Sequence, residues 1–292
     1  MKFFSRLLFV VLLLSSCASL VRAQPSGREK IIEALERDGC VTLSSGGVKI
    51  CKYDYVSDGR NVEAVSFQPS GSGAFPALML IPGYQRSARD YLPLGARLAG
   101  EGFASVAVTQ PGFGKSEGQS DFVGPRTIAA LVAGFNKFKR EPYVDAGRMG
   151  VFGYSRGAMA ASLLAVRLDD VRAAVFGGGI YDFKRAYDEI KDEGIRSNME
   201  REAGLTPAAV RDRSSLLQME KLRCPVLILH GERDENAPVS QALLLRDRLT
   251  ALKKDFEIKI FPDKGHGLDM QEVFANSAAF FKRKLMADAV KK

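Results

Sequence analysis

The sequence predicts an α/β fold in which a mostly parallel sheet is covered by helices on both faces. Short apolar runs alternate with segments of helical periodicity from residue 77 onward. Runs such as residues 77–81 are apolar throughout, as expected of strands buried on both faces. Strands and helices that alternate at this spacing form parallel sheets. The 292 residues, 46% of them hydrophobic, suffice for one large domain or two small ones, and we assign residues 24–292 to one.

Residues 1–23 have the composition of a secretory signal peptide. Two basic residues precede an apolar stretch at residues 7–14, and Val21-Arg22-Ala23 offers a cleavage site before Gln24. So short an apolar stretch cannot span a bilayer as a permanent helix. We expect export to the periplasm or the medium and removal of residues 1–23.

A second processing site overlaps the first. Leu14-Ser15-Ser16-Cys17 resembles the bacterial lipobox, in which the cysteine is acylated and becomes the new N-terminus. That outcome would attach the protein to the outer membrane through a lipid on Cys17. The residues leave both outcomes open.

The net charge and the small number of metal-ligating residues argue against a nucleic-acid or metal partner. Cleavage after Ala23 leaves 39 basic and 34 acidic residues, a net charge of +5, and the basic residues form no run. This pattern is typical of a solvated surface rather than a nucleic-acid site. With only two histidines and no cysteine pair at zinc-motif spacing, we expect neither a metal nor another cofactor.

The chain begins with a helical segment at residues 28–37 and a hairpin at residues 40–55. A turn at Ser45-Gly46 places Cys40 directly opposite Cys51. Cross-strand partners lie close enough for a disulfide, and an exported protein meets an oxidising compartment. We therefore predict a disulfide between Cys40 and Cys51, with Cys224 as a buried thiol.

The remaining elements follow in alternation. We predict strands at residues 62–67, 77–81, 104–108, 149–153, 171–176, 225–229 and 256–260, the last at a sheet edge. Helices are predicted at residues 90–99, 126–138, 156–164, 241–252 and 276–289. Ligands of such sheets bind beyond the carboxyl ends of the strands, so the ends of these strands should line one cleft. Residues 181–223 are charged and helical in pattern and interrupt the alternation; they form either a small cap over the cleft or a solvated connection without contact to substrate.

Ser155 stands at the turn between an apolar strand and an Ala-rich helix. So tight a turn strains the backbone of the serine and exposes its hydroxyl, and it requires Gly153 and Gly157 because a Cβ there would strike a neighbouring element. Ser155 is therefore our candidate nucleophile.

A serine hydroxyl needs a base and a group that orients the base. His266, between two glycines on the loop after the last strand, is the candidate base, whereas His230 at a strand end suits a structural role. Three carboxylates follow His230: Glu232, Asp234 and Glu235. Asp234 is favoured because its side chain is short and lies mid-loop.

The tetrahedral oxyanion needs two hydrogen-bond donors. One is the backbone N–H of Arg156, which follows the nucleophile at the positive end of the helix. The other is the backbone N–H of Tyr84, in the glycine-containing loop after residue 81.

The chain order Ser155, Asp234, His266 resembles that of the α/β-hydrolases. Several motifs within about residues 60–285 resemble those of one branch of the α/β-hydrolases, the branch that contains the prolyl oligopeptidase catalytic domain and the dienelactone hydrolases. These motifs are residues 111–118, 144–145, 150–155, 229–234 with Pro238, and 265–267. The resemblance implies an α/β-hydrolase fold with Asp234 as the acid.

Three departures limit the resemblance. Dienelactone hydrolases use a cysteine where this chain has Ser155, and the usual His-Gly before the oxyanion donor is Pro82-Gly83. Oligopeptidases of this family carry a β-propeller, which the residues before about 60 are too few to form.

We expect an exported serine hydrolase that cleaves a small carboxylic ester or amide, or a short peptide, through an acyl-enzyme. Esters are favoured because no residue pattern anchors a peptide terminus. The first alternative is a serine peptidase of the prolyl oligopeptidase type. A non-catalytic binding protein is less favoured because it would not need all three triad residues, and acyl transfer to an acceptor other than water stays open.

Overall fold

The computed structural model describes residues 27–286. The predicted signal peptide, the acylation of Cys17 and the last residues of the predicted C-terminal helix lie outside this range. The helices are α1 (Gly27–Asp38), α2 (Leu92–Gly100), α3 (Pro125–Phe138), α4 (Arg156–Ala165), α5 (Phe183–Glu189), α6 (Glu193–Ala203), α7 (Pro207–Arg213), α8 (Ser240–Ala251) and α9 (Met270–Leu285). The strands are β1 (Cys40–Thr42), β2 (Lys49–Lys52), β3 (Tyr55–Ser57), β4 (Arg60–Val62), β5 (Ala64–Gln68), β6 (Phe75–Ile81), β7 (Ala104–Val108), β8 (Val144–Tyr154), β9 (Val171–Gly177), β10 (Val226–Gly231) and β11 (Phe256–Phe261).

Within residues 27–286, nine strands form one sheet in the order β1-β2-β5-β7-β6-β8-β9-β10-β11. The strands from β7 to β11 in that order run parallel to one another. Antiparallel pairing adds β5, β2 and β1 at one edge, and β3 pairs with β4 in a separate hairpin. The predicted mostly parallel α/β sheet is confirmed.

Side chains on the two faces of the sheet enter two different hydrophobic clusters. Along β6, Met79 and Ile81 face one cluster and Leu78 and Leu80 face the other, as the two-residue period of a strand requires. Helices α3, α4 and α8 pack on the first face, and α2 and α9 pack on the second. Every residue of α4 is buried, which explains its apolar sequence.

Several predicted boundaries were wrong, and three of them are explained by local structure. The last helix begins at Met270 rather than Asn276, because the Asp269 side chain accepts a hydrogen bond from the backbone N–H of Gln271 and caps it there. The strand predicted at residues 62–67 is divided between β4 and β5 at the buried Glu63. The helix predicted from residue 90 starts as a 3₁₀ segment at Ala88–Tyr91, and α2 follows with a proline in its first turn.

The N-terminal hairpin pairs Cys40 with Cys51 in antiparallel register. A disulfide joins the two residues, whose Cα atoms lie 4.1 Å apart. Cys224 is a buried free thiol, and burial raises the pKa of this thiol to about 12.

Residues 181–223 form α5, α6, α7 and a 3₁₀ segment at Ser215–Lys221. Side-chain caps at Asp182, Asp192 and Thr206 begin the three α-helices. Met199 anchors α6 in the main hydrophobic cluster, while Ile195 and Asn198 on the same helix line the cleft described below. Residues 181–223, called the cap below, are therefore in contact with the cleft. Over the described range, no helix combines the length and apolarity needed to cross a membrane.

Candidate active site

Ser155 occupies the turn between β8 and α4. Its backbone angles are φ 57° and ψ −128°, outside the regions that most non-glycine residues adopt, and its N–H donates to the Gly177 carbonyl at 2.7 Å. Backbone strain of this kind, at roughly 1–3 kcal/mol, is typical of functional sites and persists where the surrounding structure enforces it. The turn therefore holds Ser155 in one orientation.

The two flanking glycines are required by backbone contacts. A Cβ on Gly153 would lie 2.0 Å from the carbonyl oxygen of Gly157, and a Cβ on Gly157 would lie 2.0 Å from that of Ile81. Neither backbone atom can move without displacing a strand or a helix. These distances agree with the predicted clash between a Cβ at either position and a neighbouring element.

Three side chains form a continuous hydrogen-bonded relay. Ser155 Oγ lies 2.8 Å from His266 Nε2, and His266 Nδ1 lies 2.8 Å from Asp234 Oδ2. Because the carboxylate accepts from Nδ1–H, Nε2 is left to accept the serine proton. Asp234 is only 6% exposed, and its Oδ1 accepts from the backbone N–H groups of Asn236 and Ala237 at 3.0 and 2.8 Å.

His230 lies beside the relay but outside it. The ring is fully buried, and its Nε2–H donates to the Ala237 carbonyl at 2.7 Å. Burial lowers the pKa of His230, which favours the neutral ring next to Asp234. Glu232 is also outside the relay, because its carboxylate accepts from the backbone N–H of Asp263. The structure thus brings Ser155, His266 and Asp234 together and leaves His230 and Glu232 out of the hydrogen-bonded relay.

Tyr154 holds the loop that carries the histidine. Its hydroxyl donates to the carbonyl oxygen of His266 at 2.5 Å and accepts from the N–H of Leu268 at 3.1 Å. Burial raises the pKa of Tyr154, so the hydroxyl keeps its proton and its donor role. A Cβ on Gly177 would lie 2.6 Å from the tyrosine ring, so the glycine makes room for it. Tyr154 was not among the predicted site residues, and its only signal in the sequence is adjacency to Ser155.

The loop after β6 packs directly against the nucleophile. A Cβ on Gly83 would lie 3.3 Å from Ser155 Cβ, so the loop backbone passes within contact distance of it. Gln110 Nε2 donates to the Pro82 carbonyl at 2.7 Å and fixes the start of the loop. Tyr84 and Arg156, the two predicted oxyanion donors, consequently both lie next to Ser155 and line the same cleft.

The side chain of Arg156 is buried under the cap. Its Nη2 donates to Glu202 Oε2 at 2.5 Å and to Ser120 Oγ at 2.6 Å, and its guanidinium lies over the Phe122 ring at 4.4 Å. Burial alone would raise the pKa of the Glu202 carboxyl, but the hydrogen bond and charge of Arg156 hold that pKa below its usual value. Glu202 was not a predicted site residue either, because it is one of many charged residues in the cap region.

The cleft at Ser155 has a volume of about 610 Å³. Its apolar walls come from the body of the fold and from the cap: Phe122, Met159, Ile180, Ile195 and Met270. Of the two arginines that line it, Arg156 is paired with the buried Glu202. Arg86 is 68% exposed and lies 3.9 Å from Asp90, whose carboxylate Arg28 binds at 2.8 Å. Among residues 27–286, no group of three or more His, Cys, Asp or Glu side chains is arranged to hold a metal ion.

Comparison with known proteins adds a family match. Residues 118–288 match the model of the prolyl oligopeptidase family. The chain is 30% identical over 216 residues to the uncharacterized peptidase YtmA of Bacillus subtilis (strain 168), an overlap of 72% of this chain and 83% of the relative.

Solved structures share the fold. The acylaminoacyl peptidase of Pyrococcus horikoshii superimposes with a TM-score of 0.72 at 20% identity, and the overlap is 82% of this chain. This chain spans only 42% of that larger peptidase. An acetyl xylan esterase from Paenibacillus sp. R4 also gives a TM-score of 0.72, at 17% identity, with 84% of this chain and 87% of the esterase covered.

Proposed function

Because the chain belongs to the prolyl oligopeptidase family, we propose that this serine hydrolase cleaves carboxylic esters through an acyl-enzyme on Ser155. The observation that carries the proposal is the relay of two 2.8 Å hydrogen bonds from Ser155 through His266 to Asp234. A buried carboxylate, a correctly oriented imidazole and a strained serine are the parts that an activated serine requires.

In the first half of the reaction, Ser155 Oγ forms a bond to the substrate carbonyl carbon while its proton passes to His266 Nε2. Asp234 stabilises the imidazolium formed in this step. The tetrahedral intermediate then collapses, the bond to the leaving alcohol breaks, and His266 returns its proton to that alcohol. Water, activated by His266 in the same way, hydrolyses the acyl-enzyme and releases the acid.

The oxyanion is held by the backbone N–H groups of Arg156 and Tyr84 in this proposal. The Arg156 N–H lies at the N-terminus of α4, where the helix dipole favours negative charge. Gly83 supports the role of Tyr84, because its close approach brings the loop backbone to the nucleophile. Loss of one such donor typically lowers the rate by about 10² to 10³.

The cleft supports an ester with an uncharged, apolar acyl group. Its walls are mostly apolar, and the buried arginine that lines it, Arg156, already has Glu202 as its carboxylate partner. A peptide carboxylate would have to displace Glu202 to bind Arg156. An apolar acyl chain would instead be stabilised by burial at about 25 cal/mol per Å² of area removed from water.

Peptide hydrolysis is the second candidate. It is favoured by the relative YtmA, whose name describes it as an uncharacterized peptidase and which this chain covers over most of its length. The same relay would cleave an amide, with protonation of the leaving amine by His266 as the added requirement.

Labelling with a fluorophosphonate tests the proposal. Wild-type protein should be labelled on one serine, and Ser155→Ala and His266→Ala should abolish labelling, while Ser197→Ala at an exposed serine of α6 should retain it. Turnover of nitrophenyl esters with acyl chains of increasing length, beside a panel of short peptides, then separates esterase from peptidase. A folded wild-type protein that resists the probe would overturn the proposal and favour a binding function.

We further propose that the protein is exported. Support comes from the signal-like residues 1–23 and from the disulfide between Cys40 and Cys51, a bond characteristic of oxidising compartments. Mass spectrometry of the mature protein distinguishes the routes: an N-terminus at Gln24 indicates simple cleavage, and a lipid-modified Cys17 indicates membrane attachment. A retained Met1 in the cytoplasmic fraction would contradict export.

A further inference from the structure

One helix of the cap contacts both residues that the proposed function uses as oxyanion donors. Asn198 and Glu202 are four residues apart on α6 and therefore lie on the same face of the helix. Asn198 Nδ2 donates to the Tyr84 hydroxyl at 3.2 Å, and Glu202 Oε2 accepts from Arg156 Nη2 at 2.5 Å. Each contact ends on the side chain of a residue whose backbone N–H is aimed at the oxyanion in the proposed mechanism.

The contact between Glu202 and Arg156 is deeply buried. The two side chains are 7% and 4% exposed. Among the residues that the structure describes, Nε and Nη1 of Arg156 have no hydrogen-bond partner, and the guanidinium packs among the rings of Tyr84, Phe113 and Phe122. Glu202 is therefore the carboxylate bonded to Arg156, and removing it would leave the buried guanidinium without that ion pair.

Glu202 also holds the loop beside the cleft. Its Oε2 accepts from the Ser120 hydroxyl at 2.5 Å and from the N–H of Phe122 at 3.2 Å. Phe122 and Val123 are consecutive non-glycine residues with positive φ, 45° and 59°. Such backbone conformations persist only where neighbouring contacts enforce them, and the bond to Glu202 is one of those contacts.

The amide of Asn198 is oriented for its contact. Arg201 Nη2 donates to Asn198 Oδ1 at 2.5 Å, which directs the NH₂ group toward Tyr84. Met199, between the two site-facing residues, is fully buried and anchors the helix in the core. Helix α6 is thus anchored in the core by Met199 and presents Asn198 and Glu202 to the catalytic loops.

We propose that Asn198 and Glu202 are positioning residues for the oxyanion hole. The proposal rests on the proposed function, because it assigns them the task of holding Tyr84 and Arg156 in place for the transition state. Neither residue touches the reacting atoms; both act through the side chains that they contact. Stabilisation of the oxyanion consequently depends on how the cap is seated.

The experiment compares ester turnover with binding of an oxyanion-forming inhibitor. An alkyl trifluoromethyl ketone adds Ser155 Oγ to its carbonyl carbon, so the carbonyl oxygen becomes an oxyanion and the serine proton moves to His266. The inhibition constant of this ketone does not depend on the fraction of enzyme that is folded. A variant that only lowers the amount of folded enzyme would therefore leave the constant unchanged. For Glu202→Gln we expect the inhibition constant to rise, and kcat for nitrophenyl butyrate to fall, by the same factor of about 10 to 100. This factor is smaller than that for complete loss of an oxyanion donor, because the donor is displaced and not removed. KM should change by less than about threefold.

Glu200→Gln is the matched control, because Glu200 lies on α6 and bonds Tyr187 instead of the catalytic loops. It should leave both constants at wild-type values. The double variant Arg156→Gln/Glu202→Gln lacks both charges of the buried pair. It replaces Glu202→Gln in the same measurements if that single variant does not fold. Asn198→Ala, Tyr84→Phe and the variant with both changes form a double-mutant cycle, with the inhibition constant as the measured quantity. If the two effects on this constant do not add, Asn198 acts through the tyrosine hydroxyl.

An unchanged inhibition constant in the Glu202 variants would overturn the role of Glu202. Strict additivity in the Asn198 and Tyr84 cycle would overturn the role of Asn198. Failure of the proposed function has a different signature, since wild-type protein would then not react with a fluorophosphonate.

Discussion

The Tyr154 hydroxyl donates a 2.5 Å hydrogen bond to the carbonyl oxygen of His266, so the residue before the nucleophile fixes the loop that carries the base. The N–H of Leu268 donates to the same hydroxyl at 3.1 Å. One side chain thus spans the base loop on both sides of Gly267. The distance between nucleophile and base is set by this bond together with the strained turn at Ser155.

Tyr154→Phe should lower kcat while the protein stays folded. The ring still fills its space, but the loop loses both hydrogen bonds, and a displacement of the base by a fraction of an ångström weakens catalysis steeply. We expect a fall in kcat of about tenfold. Steady-state kinetics per fluorophosphonate-reactive site, beside thermal unfolding, provide the measurement.

Tyr55→Phe is the control for this variant. The Tyr55 hydroxyl is buried and donates to the Ala130 carbonyl at 2.7 Å, on an element remote from His266. Its removal should reduce the free energy of unfolding by about 1 kcal/mol, the usual worth of such a bond, with kcat per active site unchanged. Wild-type kcat in Tyr154→Phe would contradict the role given to that hydroxyl.

Gly157→Ala should destabilise the protein and suppress labelling of Ser155. The added Cβ would lie 2.0 Å from the carbonyl oxygen of Ile81, so α4 must move away from β6. We expect a loss of about 3 kcal/mol in the free energy of unfolding, the upper end of ordinary overpacking. Urea unfolding and the rate of fluorophosphonate labelling measure the two effects.

Gly100→Ala is the matched substitution, because a Cβ on Gly100 meets nothing within 4 Å. It lies at the end of α2 and should be neutral or stabilising by roughly 0.5–1 kcal/mol. If both alanine variants unfolded alike and Ser155 reacted normally in each, the steric argument would be wrong.

The sheet and the three relay residues could be predicted because their signals are local. Buried strands require continuous apolar runs, and the turn at Ser155 requires glycines on both sides at fixed spacing. The start of α9 also has a local signal, since Asp269 followed by Glu272 resembles a capping pair, so its position at Met270 was predictable from the sequence.

Glu202 could not be predicted, for a different reason. It is one of many charged residues between 181 and 223, and nothing in its immediate sequence distinguishes it from Glu200. Its partner Arg156 is 46 residues away along the chain, and the two meet only because the cap folds back over α4. Pairing of this kind is a property of the tertiary structure, and so is the contact between Tyr154 and the loop of His266.

His230→Gln should flatten the dependence of stability on pH below neutrality. Burial lowers the pKa of His230 from its usual 6.5 in the folded protein. As the pH falls through 6.5 the unfolded chain therefore binds a proton that the folded chain does not, and the free energy of unfolding falls, by up to about 1.4 kcal/mol per pH unit. Glutamine keeps a donor for the Ala237 carbonyl but has no titratable group.

The comparison is urea unfolding of both proteins between about pH 7 and pH 5, with the slope against pH as the measured quantity. Asp234, which lies 3.5 Å from His230 Nε2, and His266, which bonds the same carboxylate, remain in both proteins, so the difference between the slopes reports the loss of the His230 imidazole. Equal slopes would contradict the prediction.

The disulfide between Cys40 and Cys51 should contribute to stability without affecting catalysis. It closes a loop with a sequence separation of 11, which corresponds to about 3 kcal/mol of stabilisation through the restricted unfolded chain. In the sheet, β5, β7 and β6 separate this hairpin from the strand that ends before Ser155. Cys40→Ser/Cys51→Ser should therefore unfold at a lower urea concentration while ester turnover at neutral pH is retained. Reductant, once free thiols at Cys40 and Cys51 show that the bond is cleaved, should shift wild-type protein to the same midpoint and leave the variant unchanged. Equal midpoints for oxidised wild type and the variant would show that the bond contributes nothing.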